Sequence, residues 1–322
     1  MIITKTPFRI SFVGGGTDII DYYKVDYGAV ISATINKYMY ITVNKRFDDS
    51  IRVSYSKTEI VDDVDELRHE IVKECLKLVG IKKGIEITSI SDIPAGTGLG
   101  SSSSFTVGLI NALFSYTGDH LSAKQMAELA CKVEIDILKH PIGKQDQYAA
   151  AYGGINFFQF NKDETVFEEK IKFIDEDYKK MNRKLMMFWT GISRSADKIL
   201  EKQKKNTKVK IENLNFMRNQ VYELRNIIKT EGFTKKFGEM LHEGWLKKKE
   251  ITNGISSNQI DQKYELARQA GAVGGKILGA GGGGFLLLYC DEENQSKVRK
   301  AIGLKEMNFR IEKYGSRVVY FE

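Results

Sequence analysis

The sequence predicts a mixed α/β (α+β) protein of two domains, and three observations carry that expectation. A chain of 322 residues exceeds what one ordinary core organises. Stretches with the two-residue period of strands alternate with stretches of helical period. A strongly charged run, Asp175 to Lys184, has the composition of a domain boundary and divides the chain into residues 1–176 and 177–322.

In chain order, residues 2–13 read as a strand ending in Gly14-Gly15-Gly16-Thr17-Asp18, after which a helix starts at Ile19. Residues 28–55 alternate apolar and polar positions, as two or three antiparallel strands do. Asp62 to Val79 carries Val64, Leu67, Ile71, Cys75 and Leu78 at helical spacing. A short strand, Gly84 to Ile90, leads into Pro94-Ala95-Gly96-Thr97-Gly98-Leu99-Gly100-Ser101-Ser102-Ser103-Ser104. Behind this loop Phe105, Leu109, Ala112, Leu113 and Tyr116 form the apolar stripe of a helix. Ser122 to Leu138 reads as another, with Glu134 and Asp136 beside its apolar face. Residues 141–154 mix charge with small side chains and end in Gly153-Gly154, a pattern of backbone lying close to a site. Strands over 155–160 and 165–174 complete the first domain.

In the second domain Lys184 to Thr190 is an apolar strand, followed by Gly191-Ile192-Ser193-Arg194. Asp197 to Lys249 is helical, broken near Gly232, and its many lysines read as a solvated face. A helix over Gln259 to Ala270 leads to the glycine-dense stretch Gly274 to Gly284 and a strand, Leu286 to Cys290. A helix over Gln295 to Gly303 and a strand over Val318 to Phe321 close the chain.

A formal net charge of +7 leans the surface towards anionic partners: nucleic acid, an acidic membrane or phosphorylated metabolites. Three cysteines, none in a CxxC pair, signal neither a disulfide framework nor a zinc site and fit a reducing cytoplasm. No apolar run approaches a membrane span and no signal-peptide core is expected. His69, His120, His140 and His242 lack metal-ligand spacing.

The Pro94–Ser104 loop is the strongest chemical signal. Glycines at alternate positions let backbone approach a ligand, and the serines stand at a helix N-terminus, where free N–H groups favour an anion such as a phosphate chain. A serine hydroxyl there can reach a magnesium ion held by those phosphates. The same composition also makes a plain turn with a serine cap. A Walker loop is excluded, because no Gly-Lys-Ser/Thr follows. Near the C-terminus a literal GxGxxG occurs, but a strand follows it where a dinucleotide site requires a helix. At the start, Gly14 to Asp18 is either a tight turn or a ligand loop, with Arg9 supplying donors and Asp18 accepting from sugar hydroxyls.

Together, in this order, the three glycine-rich stretches resemble the GHMP kinases. Pro7-Phe8-Arg9 through Asp18 matches the first family motif, Pro94 to Ser103 the second and Gly279 to Phe285 the third, so the likeness spans nearly the whole chain. Within that superfamily GGGTD, GKQDQYAAAYGG and Thr190-Gly191-Ile192-Ser193-Arg194 are most similar to the D-glycero-D-manno-heptose 7-phosphate kinases. The resemblance implies two domains with the active site in the cleft between them, and transfer of phosphate from ATP to the anomeric hydroxyl of a sugar phosphate. It implies ATP contacts at Pro94, Gly96, Gly98, Leu99, Gly100, Ser101, Ser102 and Ser103, with Mg2+ held by Ser102 and Glu134. Asp146 corresponds to the proposed general base and Arg9 to the basic residue beside it. Gly15, Gly16, Thr17, Asp18, Gly281 and Gly282 would meet the sugar. For the sugar's own phosphate Arg194 is the expected cation, with Lys144 and Lys198 behind it. An unphosphorylated hexose or deoxyhexose is the alternative substrate, and a basic nucleic-acid-binding module the remote alternative. Neither a nucleic acid nor a membrane is expected as partner, and a homodimer is left open.

Overall fold

The computed structural model describes residues 1–193, 197–207 and 209–322. The first half of the chain supplies β1 (Ile2–Val13), β2 (Gly28–Lys45), β3 (Ile51–Ser54), β4 (Thr58–Val61), β5 (Ile85–Ser91), β6 (Ile155–Phe160) and β7 (Val166–Lys170) to one large sheet. Its pairings are antiparallel except between β3 and β5. Residues 28–55, read as two or three antiparallel strands, form two: β3 pairs in parallel with β5, and β2 runs unbroken for 18 residues. Its two ends serve different partners: Gly28–Ala33 pairs with β6 and Met39–Lys45 with β5, while β1 lies along the other edge of both. A bulge opposite Pro7 and Phe8 lets the strand bend between those duties.

A second sheet, entirely antiparallel, is built from β8 (Leu185–Trp189), β9 (Ala272–Ile277), β10 (Phe285–Cys290) and β11 (Lys305–Glu306) in the order β11-β8-β10-β9. The chain then crosses back. β12 (Ile311–Glu312) pairs with β2 and β13 (Arg317–Phe321) with β1, so the first sheet takes strands from both ends of the sequence.

The first-half helices are α1 (Ile20–Tyr23), α2 (Glu70–Val79), α3 (Ser101–Thr117), α4 (Ala123–Cys131) and α5 (Gln145–Tyr152). They are followed by α6 (Asp175–Lys184), α7 (Asp197–Asn206), α8 (Ile211–Glu231), α9 (Lys235–Lys249), α10 (Asn258–Gln269) and α11 (Glu292–Ile302). The charged run expected at the domain boundary is itself a helix, α6. Asp175, Glu176 and Asp177 open it, Arg183 and Lys184 close it, and both sets complement the helix dipole while Met181 is fully buried.

The glycine-dense stretch from Gly274, to which the sequence assigns no strand, begins inside β9. Its glycines make room for α9: a Cβ on Gly274 would stand 1.9 Å from the Gly238 carbonyl oxygen, so helix and strand touch backbone to backbone. The two sheets are also joined. The Phe12 and Phe237 rings meet edge to face at 4.8 Å, and the buried Lys276 ammonium donates to the Phe12 carbonyl at 3.0 Å. These ties fix the ends of β1 and β9 against each other.

Candidate active site

The turn between β5 and α3 carries the phosphate-type loop, and its geometry follows from its glycines. Gly96, Gly98 and Gly100 have φ of +74°, +81° and +73°, the left-handed region that side chains resist. At Gly98 a Cβ would also lie 2.4 Å from the Leu278 carbonyl oxygen. Gly98→Ala is therefore expected to cost about 2 kcal/mol or more. Calorimetry should show a lowered melting temperature, and an unchanged one would contradict this packing.

Arg9 on β1 secures the loop from beneath. Its backbone N–H donates to the Leu99 carbonyl at 3.1 Å and its Nη1 to the Gly98 carbonyl at 2.6 Å. The rest of its fork closes on Asp146, Nε to Oδ1 at 2.6 Å and Nη2 to Oδ2 at 2.5 Å, a bidentate pair. Gly100 packs against both members of it. Arg9 is nearly buried, whereas the Asp146 side chain keeps 21% of its surface and lines the cleft.

α3 begins at Ser101, so its first N–H groups and the hydroxyls of Ser101, Ser102 and Ser103 stand at the cleft. Ser104 is withdrawn from it and donates to the Pro7 carbonyl at 3.0 Å. Ser102 Oγ donates to Glu134 Oε1 at 2.7 Å, and Gln147 Nε2 donates to Oε2 at the same distance. The helix expected over Ser122–Leu138 changes to a π-helical turn at Lys132–Ile137. The wider turn carries Glu134, which is fully buried under α3. Burial pushes its carboxyl above the ordinary range, against the pull of the Ser102, Ser103 and Gln147 hydrogen bonds.

Asp18 is equally enclosed. It accepts from the N–H groups of Gly16 at 2.9 Å and Gln145 at 3.2 Å, and from Gln145 Nε2 at 3.1 Å. Gly143 lies so close to this carboxylate that a Cβ there would meet it at 2.0 Å. Burial raises its pKa, the backbone bond from Gly16 opposes this, and the charge of Asp146 raises it further.

These parts share one cleft of about 990 Å³. One end is apolar and aromatic: His69 stacks on Phe105 with ring centres 4.9 Å apart, Tyr55 abuts His69, and Met39, Ile71 and Ile93 complete the wall. Desolvation holds the His69 pKa below its usual value, which favours the uncharged ring. The slot suits a flat heterocycle. The middle is the glycine-serine loop, and the other end gathers Gly15, Gly16, Asp18, Asp146 and Arg9.

Several expected contacts fall elsewhere. Thr17 is buried and its hydroxyl bonds the Gly14 and Ala29 carbonyls, so it shapes the loop without facing the cleft. Leu99 is wholly in the core. Gly281 and Gly282 pack on Ile255, with the Gly282 N–H on its carbonyl at 2.7 Å, and Gly279 and Ala280 line the cleft in their place. Lys144 spends its charge on Glu164, over the Tyr23 ring, outside the cleft. Arg194 and the side chain of Lys198 lie outside the described residues.

Sequence reasoning missed Gln145, Gln203 and Lys248. Lys248 was covered by the reading of its segment as a solvated face, yet it is buried and its Nζ donates to the Gly279 carbonyl at 2.6 Å. The missed signal was helical phase: Phe237, Leu241, Trp245 and Lys248 recur on the inward face of α9.

Comparison with known proteins gives two family matches, the GHMP kinases N terminal domain over residues 68–154 and the GHMP kinases C terminal domain over residues 224–307. The D-glycero-alpha-D-manno-heptose 7-phosphate kinase of Campylobacter jejuni is 30% identical, over 94% of this chain and 93% of that protein. The galactokinase of Pyrococcus furiosus is 25% identical over 99% of this chain and 96% of its own length. Among solved structures, a D-glycero-D-manno-heptose 1-phosphate kinase from Bacteroides thetaiotaomicron superposes with a TM-score of 0.84 at 23% identity, covering 100% of both chains. That last likeness concerns the fold.

Proposed function

Because this chain belongs to the GHMP kinases and is an ATP-dependent sugar kinase, we propose that its substrate is D-glycero-D-manno-heptose 7-phosphate and its product the 1,7-bisphosphate. The observation that supports this most is the Arg9–Asp146 pair, set between the glycine-serine loop and Asp18 in a single cleft.

In this reading the adenine enters the slot of Tyr55, His69 and Phe105, and the phosphates lie along Gly96, Gly98, Gly100 and the first turn of α3. Backbone N–H groups fixed in advance stabilise the charge that spreads over the transferred group. Asp146 accepts the proton of the anomeric hydroxyl as its oxygen bonds to the γ-phosphorus and the bond to ADP breaks. Both oxygens of Asp146 are held by Arg9, so the carboxylate cannot rotate away. Asp18 and Gln145 take ring hydroxyls.

Ser102 and Glu134 fit Mg2+ by their chemistry, a hydroxyl and a carboxylate in contact at a helix N-terminus, the oxygen donors a hard cation takes. When bound, the ion would neutralise charge on the β- and γ-phosphates. We place the two domains at residues 1–176 and 177–322, with the cleft between them and the last strands crossing back.

Measuring ADP release with heptose 7-phosphate, the unphosphorylated heptose, galactose and fucose tests the reading. The highest kcat/KM is expected for heptose 7-phosphate; a higher value for galactose or fucose would replace the substrate.

A further inference from the structure

The reactive end of the cleft contains more hydrogen-bonding capacity than its own contacts use. Among the described residues, the lysine and arginine side chains that line it are Arg9 and Lys248. Arg9 commits its fork to Asp146 and Gly98. Lys248 commits one N–H, to the Gly279 carbonyl, and its other two have no partner among the described residues. An ammonium brings three donors, and desolvating it without a counter-charge is costly. Burial accordingly pulls its pKa down to about 8, opposed by the carboxylate of Asp18 and, less strongly, that of Asp146, while Arg9 adds to the pull.

Gln203 lines the same cleft and is 1% exposed; its Nε2 has no partner among the described residues and lies against Gly16. Ser11 Oγ and Gln145 Oε1, near Gly15, are buried and unpaired in the same way. Orphaned polar atoms around a cavity indicate a polar occupant. The donors that Lys248 and Gln203 leave open call for an acceptor carrying negative charge. Two carboxylates, Asp18 and Asp146, share this end of the cleft, so an anion requires a cation in place there.

We propose that Lys248, with Gln203, binds the phosphate that the sugar already carries, and so sets the enzyme's preference for a phosphorylated substrate. This rests on the reading of the substrate as a sugar phosphate. Asp18 and Gln145 hold the ring between this subsite and Asp146. A sugar without the phosphate leaves both donors buried and unmatched, the situation in which a polar site rejects an analogue most strongly.

The test compares kcat/KM for heptose 7-phosphate and for the unphosphorylated heptose in the wild type, Lys248→Gln and Lys248→Arg. Glutamine retains a donor for the Gly279 carbonyl without the charge, and arginine retains the charge; melting temperatures check that each folds. Lys248→Gln is expected to raise KM for the 7-phosphate about 10- to 100-fold, to move KM for ATP and the unphosphorylated sugar less than about twofold, and to be partly rescued by Lys248→Arg. A purely structural lysine would shift both sugars alike, which would overturn the proposal. Should Lys248→Gln not fold, Gln203→Leu is read the same way: selective loss supports the subsite and equal loss overturns it. If the wild type does not prefer the phosphorylated sugar, the substrate reading falls and takes the inference with it. If the wild type prefers it and Lys248→Gln keeps the full preference, only the assignment of Lys248 falls.

Discussion

Asp146→Asn is expected to lower kcat by about 10²- to 10⁴-fold, the range in which a positioned base contributes, while KM for ATP stays within about threefold. The amide is nearly isosteric, so the cleft keeps its shape. It cannot take the hydroxyl proton, and it offers Arg9 one acceptor where the carboxylate offers two. The almost buried guanidinium then lacks its counter-charge, and stability should fall by about 1–3 kcal/mol in urea unfolding. Arg9→Lys separates the two effects: it keeps a positive charge but loses the planar fork, so it should lower kcat through misplacement of Asp146. Near-native turnover of Asp146→Asn with saturating ATP and Mg2+ would remove the base from the account.

Glu134→Gln is expected to reduce kcat by about 10²- to 10³-fold without lowering the melting temperature at neutral pH. The two outcomes have one cause. Glu134 is fully buried and its pKa is raised by desolvation, so its charge is held at the expense of the fold. The substituted amide accepts from Ser102 as before. Gln147, whose Oε1 is now unpaired, can reverse its own amide to accept from the new donor. Because the folded protein holds the Glu134 proton more tightly than the unfolded chain, its stabilising contribution is complete below about 4.5 and is lost as pH rises towards the folded value. Stability of the ligand-free wild type should therefore decline with pH above 4.5 more steeply than that of Glu134→Gln, as denaturation at a series of pH values would show. Equal slopes would contradict the buried charge. A residue kept where it weakens the fold points to function.

Local pattern revealed most of the helices and strands, and the comparisons agree with the GHMP kinase resemblance that its three glycine motifs carry. The resemblance implies Ser102, Glu134, Asp146, Arg9 and Asp18 as site residues, and the fold gathers them at one cleft and its floor. What escaped had physical reasons. The pairing of β13 with β1 joins the two ends of the chain, and periodicity carries no information on so distant a partner. β9 was hidden because glycines chosen for close approach to α9 look like a loop. Lys248 was hidden by its neighbours: composition describes Lys247, Lys248 and Lys249 alike, and only helical phase turns the middle one inward. Gly281 and Gly282 were misplaced because a tight turn packed on Ile255 and a ligand-facing loop call for the same residue.

With the substrate proposed above, this cleft adds a phosphoryl group to the anomeric oxygen of a sugar that already bears one. Phosphorus NMR of the enzyme with ATP, Mg2+ and heptose 7-phosphate tests it directly. A new resonance coupled to the anomeric proton is expected, growing in step with ADP while the 7-phosphate signal persists. ADP formed without that resonance, or phosphate appearing on any other oxygen of the sugar, would contradict it.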